Sequence, residues 1–432
     1  MADLTSVDDH LADILGAMRP LDAIELNLAD AHGCVLTEDV LVPQALPPFD
    51  NSSMDGYAVR LADVEGASEA YPAVLRVVGD VAAGSGAPPV VRPGEAARIM
   101  TGAPVPPGAE AVVPVEWTDG GSGGGPAESM APHSSRPEGA GGEVRVHRTP
   151  APGAHIRRRG SDVGAGAVAL PAGSVLGAPQ LGLLAAIGRP AVRVRPRPRV
   201  VVISTGSELT QPGDPLRPGR IYDANGFLLA AAAREAGADA YRVAAVADDA
   251  GTLRATLEDQ LVRADLIVTS GGVSVGAYDV VKEALADLDG SPGRVEFRRL
   301  AMQPGKPQGF GLVGPDRIPL LALPGNPVSA YVSFEIFVRP ALRAMAGHRR
   351  LHRPRTRARL AAGAPLPSPA GRRQFLRGLH DPAGGTVRPV GGAGSHLIAA
   401  LAQADCLLTV PEDVTEVAPG TELEVVLLAP AD

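Results

Sequence analysis

Cysteine is nearly missing from this chain: Cys34 and Cys406 are the only two in 432 residues. So few and so far apart, they exclude a disulfide framework and a cysteine-based zinc site, and they point to a reducing compartment with both thiols as small buried residues. Aromatic side chains make up 3%, which leaves few platforms for stacking bases and argues against a single-strand nucleic-acid binder. Positive charge is in deficit, with 40 Lys and Arg against 48 Asp and Glu and a net charge of −8. That balance is wrong for a nucleic-acid footprint, although a locally positive anion site stays compatible with it. No run approaches the ~18 apolar residues of a membrane span. The opening MADLTSVDDH has acids where a secretory signal needs bases and then an apolar block. A soluble cytoplasmic protein is expected, with no nucleic acid and no membrane among its partners. None of the nine histidines recurs at metal-ligand spacing.

In excess are glycine, 52, and proline, 42, together about 22% of the chain against a usual ~12%. With 45% hydrophobic residues the chain is globular and turn-rich, and its length calls for several domains. It is organised around ADLIVTSGGVSVGAYD, which ends at Asp279. Ala264, Leu266, Ile267 and Val268 read as a parallel strand, because strands covered on both faces are continuously hydrophobic. Gly271, Gly272 and Gly276 then let backbone approach a ligand, and a helix starting near Asp279 would aim free N–H groups at an anion. A phosphate or oxyanion cradle fits; so does a tight strand-to-helix turn that binds nothing.

Taken in order, Val7, Leu11, Ile14, Leu15 and Met18 form one helical stripe behind a Thr5/Ser6 cap. PPFDNSSMDGYAVR, residues 47–60, packs turn chemistry around Asp50 and Asp55 and reads as a surface turn or a ligand loop. From Tyr71 to Trp117, short β-like runs suggest a small β-module. Residues 118–142 hold eight glycines and almost no bulky apolar group, so a disordered insertion is expected. Arg157, Arg158 and Arg159 beside Asp162 could meet a phosphate or form a solvated, partly paired turn. RVRPRPR, 193–199, reads as an exposed linker and HRRLHRPRTRARL after it as a solvated charged connector. Between them strands and helices alternate, which predicts an α/β domain with a parallel sheet. The alternation places STGSEL (204–209), YDANG (222–226), GGVSVGAYD (271–279) and LPGNPVS (323–329) after strands or at helix starts, where ligands bind in such sheets. MQPGKPQGFG (302–311) locks Lys306 in a loop suited to meeting an anion. Residues 360–428 read as a small β-rich domain carrying GRRQFLRG (371–378) and GGAGSH (391–396).

STGSEL, IYDANG, SGGVSVGAYD, PGKP, LPGNPVSA, PPFDNSSMDGYAVR and RIMTGAPVP together resemble the molybdopterin molybdenumtransferase family, MoeA in bacteria and the E domain of gephyrin. The match runs in order from about residue 10 to 428, interrupted by the glycine-rich insertion. The resemblance implies a multidomain α/β plus β chain. An elongated N-terminal domain would comprise 1–46 and 147–190, and a β-domain with disordered loop 118–142 would be inserted at 47–146. A molybdopterin-binding α/β domain would span 191–347 and a C-terminal β-barrel-like domain 355–432. It also implies insertion of molybdate into adenylylated molybdopterin with release of AMP, using Mg2+, in a homodimer with a shared site. Contact with a molybdopterin adenylyltransferase and with molybdoenzymes is implied as well.

By motif position the resemblance gives Asp55, Asp223, Asp279 and Glu208 catalytic roles, with Asp223 and Asp279 as magnesium ligands. Magnesium takes a few hard carboxylate oxygens plus substrate phosphate and keeps waters, so those residue types make sense. For Glu208 the structural alternative is a helix N-terminal acid complementing the dipole. Substrate contacts fall on Thr101, Asp162, Ser204, Thr205, Gly206, Gly271, Gly272, Ser274, Lys306, Pro307, Pro324, Asn326, Pro327, Arg372, Arg377 and Ser395. Molybdate, a dianion, would be held by Lys306, Pro307 and the C-terminal motifs. There is one departure: the family loop commonly reads lysine-proline-glycine-lysine-proline, and here Gln303 replaces the first lysine. A specialised or non-catalytic paralogue that binds molybdopterin or a partner protein is therefore the second reading. A nucleotide- or oxyanion-processing enzyme using the α/β domain alone is the third.

Overall fold

The computed structural model describes residues 4–84, 86–131, 142–247, 249–272, 283–284 and 295–428. Asp279, Ser274, Gly276 and the helix expected near Asp279 lie outside them. The chain forms two compact units. The first comprises Met1–Glu38, Gly173–Gly177 and Val192–Asp432, the second Asp39–Ala172 and Ala178–Ala191.

At the centre of the first unit is a six-stranded sheet in the order Asp239–Arg242, Arg199–Ser204, Leu266–Ser270, Ile318–Leu323, Pro307–Val313, Val295–Arg299. Its first four strands are parallel, as the apolar runs predict, and the last two extend it antiparallel. Alternate residues of one strand enter different cores. Val200, Val202, Leu266 and Val268 join the cluster that includes Leu229 and Phe337, while Val201, Ile203 and Ile267 join Leu253 and Leu257. Burial on both faces is why these strands lack polar alternation. The register sets Ser204 beside Ser270 and Ser270 beside Leu323, so the loops that follow all start at one edge of the sheet.

The N-terminal helix Val7–Ala17 is capped by Ser6, whose Oγ accepts from Asp9 N at 3.0 Å. Its His10 sits edge-on to Phe337 at 5.0 Å. Two charged stretches are less solvated than their composition suggests. Residues 193–195 belong to the strand Ala191–Arg195, with Val194 fully buried. Arg353, in the second stretch, bonds the buried Glu335 at 2.9 Å and Glu235 at 2.7 Å, beside an Arg339–Glu335 bond of 2.6 Å. An arginine fork satisfies a buried carboxylate that nothing else there could hold ionised.

Beyond it, Arg355–Leu360, Thr386–Pro389, Arg373–Asp381, Cys406–Val410 and Glu422–Leu427 pair in a ring, and Met302–Gln303 adds a parallel pairing to Arg373–Asp381. This closed barrel leaves none of the five without a partner on either side. Leu376, Val387, Leu408 and Val425 fill it together with the fully buried Cys406.

The second unit is built on a five-stranded sheet in the order Ala111–Pro114, Gly56–Val59, Glu95–Ile99, Ala73–Val81, Glu143–Val146. Tyr57, Leu75, Val77, Val113 and Val144 form part of its core. The expectation of disorder across 118–142 fails for 118–131. Thr118 and Asp119 are buried, and Asp119 Oδ1 accepts from Gly121 N and Arg145 N at 2.9 and 3.0 Å. One short carboxylate, satisfied by backbone donors, orders a turn that composition alone reads as unstructured. Residues 132–141 lie outside the described residues.

Candidate active site

The loops at the carboxyl edge of the parallel strands enclose a cleft of 620 Å³ within the first unit. Ser204, Thr205, Glu208, Asp223, Gly271, Gly272, Pro307, Pro324, Asn326 and Pro327, ten of the residues chosen from sequence, line it. Gly206 is adjacent, its N–H donating to Val246 O at 3.0 Å. Only glycine fits at 271, where φ is +100° and a Cβ would stand 2.4 Å from Thr205 O. Volume alone would favour a 700 Å³ cleft lined by Leu21, Asp30, Arg197, Arg199, Asp239 and Asp265. Both of its arginines are spent on neighbouring carboxylates, Arg199 on Asp265 at 2.7 Å and Arg197 on Asp239 at 3.7 Å.

Asp223, 1% exposed, is the most tightly held group of the cleft. Its Oδ1 accepts from Ser204 Oγ at 2.8 Å and from Gly226 N at 2.9 Å, at the start of the helix Asn225–Glu235. Its Oδ2 faces Arg242 Nη1 at 3.3 Å. Arg242, which no sequence motif singled out, also donates to Gln211 Oε1 at 3.0 Å and lies 4.2 Å over the Phe227 ring. Asn225 Nδ2 donates to Ser270 Oγ at 2.8 Å and to Gly325 O at 2.6 Å, tying three loops together. Thr205 Oγ1 and Asn225 Oδ1 are buried without a hydrogen-bond partner among the described residues. Such orphans on cleft residues are what a polar ligand or water would satisfy.

The sequence-chosen anion residues separate. Lys306 is half-buried on its loop, and desolvation followed by the charges of Arg299 and Arg372 pushes its ammonium below the ordinary lysine range. Arg377, expected to hold molybdate, is 2% exposed. Its guanidinium donates to Gly394 O at 3.0 Å and to Gly392 O, and so holds the GGAGSH loop in place. Ser395 Oγ accepts from Asn326 Nδ2 at 2.9 Å, which brings that loop to the cleft wall. In the second unit, Asp55 Oδ1 accepts from Thr101 N at 2.7 Å and Thr101 Oγ1 at 2.9 Å. Asp162 is exposed there. Asp50 is held well below the usual carboxylate range by Arg159 N–H and then by Arg158, which pairs with it at 2.7 Å.

Among the described residues, which do not include Asp279, magnesium finds no ready seat. No group of three His, Cys, Asp or Glu gathers among the described residues, and the oxygens of Asp223 are committed to Ser204, Gly226 and Arg242. The surroundings of Asp223 therefore do not fit the metal-ligand role expected of it, since a hard cation needs free carboxylate oxygens. Glu208 is the exposed carboxylate on the cleft.

Three family models match in succession: the MoeA N-terminal region (domain I and II) over residues 5–188, a probable molybdopterin binding domain over 201–344, and the MoeA C-terminal region (domain IV) over 359–428. Molybdopterin molybdenumtransferase 2 of Mycobacterium tuberculosis is 48% identical over 424 residues, covering 98% of this chain and 99% of that one. The chain belongs to the molybdopterin molybdenumtransferase (MoeA) family. Molybdopterin molybdenumtransferase 1 of the same organism is 38% identical, with 99% of each chain covered. A molybdopterin biosynthesis MoeA protein from Pyrococcus horikoshii has 28% identity and a TM-score of 0.73, over 98% of this chain and all of that one. In molybdenumtransferase terms, the molybdopterin-binding model takes in nearly all the sheet and the cleft, and the C-terminal model takes in most of the barrel with Arg372, Arg377 and Ser395.

Proposed function

We propose that this transferase of molybdenum cofactor biosynthesis inserts molybdate into the dithiolene of adenylylated molybdopterin and releases AMP. The observation that carries the reading is the cleft itself, where four separate loops bring hydroxyls, glycine backbone and an open carboxylate to one sheet edge. Water cleaves the phosphoanhydride, giving AMP and molybdopterin phosphate, while the two dithiolene thiols replace two molybdate oxygens, which leave as two waters carrying the two thiol protons and two protons from solvent. Thr205 and the backbone of Gly271 and Gly272 meet the pyrophosphate, and Asn225 keeps their loops in register. Asp223, held by Arg242, fixes Ser204 rather than touching the reacting atoms. Glu208, the exposed carboxylate lining the cleft, orients the attacking water in this reading. Lys306 draws the molybdate dianion to the loop that leads into the cleft at Pro307.

A homodimer with a shared site, to which Asp55, Thr101 and Asp162 would contribute, belongs to the same proposal, as do the four-domain division and contacts with the adenylyltransferase and acceptor molybdoenzymes. Gln303 favours the second reading, a paralogue that binds molybdopterin without transfer. Incubating purified protein with adenylylated molybdopterin, molybdate and magnesium decides between them. One AMP per cofactor formed is expected. Tight molybdopterin binding with no AMP at any molybdate concentration would establish the paralogue.

A further inference from the structure

Neighbouring cations in the first unit divide into two groups. Arg298 pairs with Asp13 and, at 2.9 Å, with Glu296; Arg373 bonds Asp8 at 2.8 and 2.7 Å and Glu412 at 2.9 Å. The residue beside each, Arg299 and Arg372, makes no ion pair among the described residues, and neither does Lys306. Successive strand residues face opposite ways, so Arg298 can spend its charge on acids that Arg299 does not reach.

The backbone brings the three unpaired cations together. Arg299 stands opposite Pro307 in the ladder, and Leu300 N donates to Lys306 O at 2.7 Å. Arg373 N donates to Ala301 O at 2.9 Å, which draws Arg372 to the same place. The loop carrying Lys306 is locked from behind. Gln308 Nε2 donates to Gly305 O at 2.7 Å and to Ser333 Oγ at 2.6 Å, and a Cβ at Gly305 would lie 2.9 Å from that hydroxyl. Arg299 and Arg372 both depress the Lys306 ammonium, so the three share one field. In a chain of net charge −8, a fixed group of like charges with no ion pair among the described residues repels itself until an anion offsets it.

We propose that Arg299 completes, with Lys306 and Arg372, a three-cation subsite for a tetrahedral oxyanion, in a loop where Gln303 is neutral. The inference rests on the molybdate-inserting reading and adds a specificity residue that no motif assigned. A phosphate group of the nucleotide offers similar chemistry, so the test has two arms.

Full-length wild type, Arg299→Gln, Arg299→Lys and Arg298→Gln are titrated with molybdate alone and with AMP alone. Arg299→Gln raises half-saturating molybdate roughly tenfold, and Arg299→Lys recovers most of it. Arg298→Gln, which removes the same charge from a paired position, stays within about twofold of wild type, and AMP affinity is the same in all four. Unchanged molybdate binding in Arg299→Gln, an equal loss in Arg298→Gln, or no molybdate binding by wild type overturns the inference. Weakened AMP with unchanged molybdate also overturns it and gives the subsite to the nucleotide phosphate. A wild type that releases AMP while Arg299→Gln binds molybdate normally refutes this inference alone. A wild type that binds molybdate yet never releases AMP refutes the insertase reading alone.

Discussion

Around Asp223 every charge has a partner: the buried carboxylate is met by Ser204, Gly226 and Arg242, and Arg242 by Gln211 and the Phe227 ring. Around Lys306, the ends of two other segments bring Arg299 and Arg372 to its rigid loop, and none of the three cations has an ion pair among the described residues. The first arrangement is complete in the protein alone and acts as scaffold. The second becomes complete when an anion arrives. A charged residue in a motif is thus not a ligand contact by virtue of its type; what its charge already holds decides.

The largest expected effect falls on the scaffold. Arg242→Leu leaves the buried Asp223 without its cation. It should cost about 2–3 kcal/mol in chemical denaturation, below the 3–5 of a wholly buried pair because Arg242 is partly exposed. A loss under about 0.5 kcal/mol would show that the pair holds nothing.

His10 sharpens the comparison as a buried ionisable group that makes no ion pair among the described residues and feels Asp13 only weakly against its burial. Burial foremost, with the charge of Arg298, holds it down to about 4. The neutral form is favoured in the fold. Its stabilisation is therefore full above the ordinary histidine value near 6.5 and is lost as pH falls from there through about 4. Between pH 7 and pH 4.5 the wild type should lose roughly 2 kcal/mol more than His10→Leu. Parallel losses in the two proteins would remove His10 from the acid transition.

The smallest stability effect is predicted for Lys306→Gln, which relieves like-charge repulsion. Unfolding should shift by less than about 0.5 kcal/mol, toward greater stability. A clear destabilisation would mean that Lys306 has a structural partner and would break the contrast.

Much of this was legible in the sequence, and for physical reasons. The runs at 200–204 and 266–270 are apolar because both faces are covered, and glycine at 271 is required by backbone contact with Thr205. The motifs therefore gather at one edge of the sheet, along a single cleft. Pairings made by the fold left no sequence signal. Arg242 lies 19 residues from Asp223 in an ordinary strand. Burial of Arg377 against the glycine loop, and of Arg353 against Glu335, depends on where distant elements pack. Asp119 looks like one more polar residue in a glycine tract until its backbone donors are seen.

The measurement that bears most directly on the unpaired cations as the oxyanion site is the molybdate dependence of cofactor formation in Gln303→Lys. A fourth cation on the same loop should lower half-saturating molybdate severalfold and leave turnover at saturation near that of wild type. An unchanged or raised molybdate requirement, in a protein that folds normally, would contradict the account.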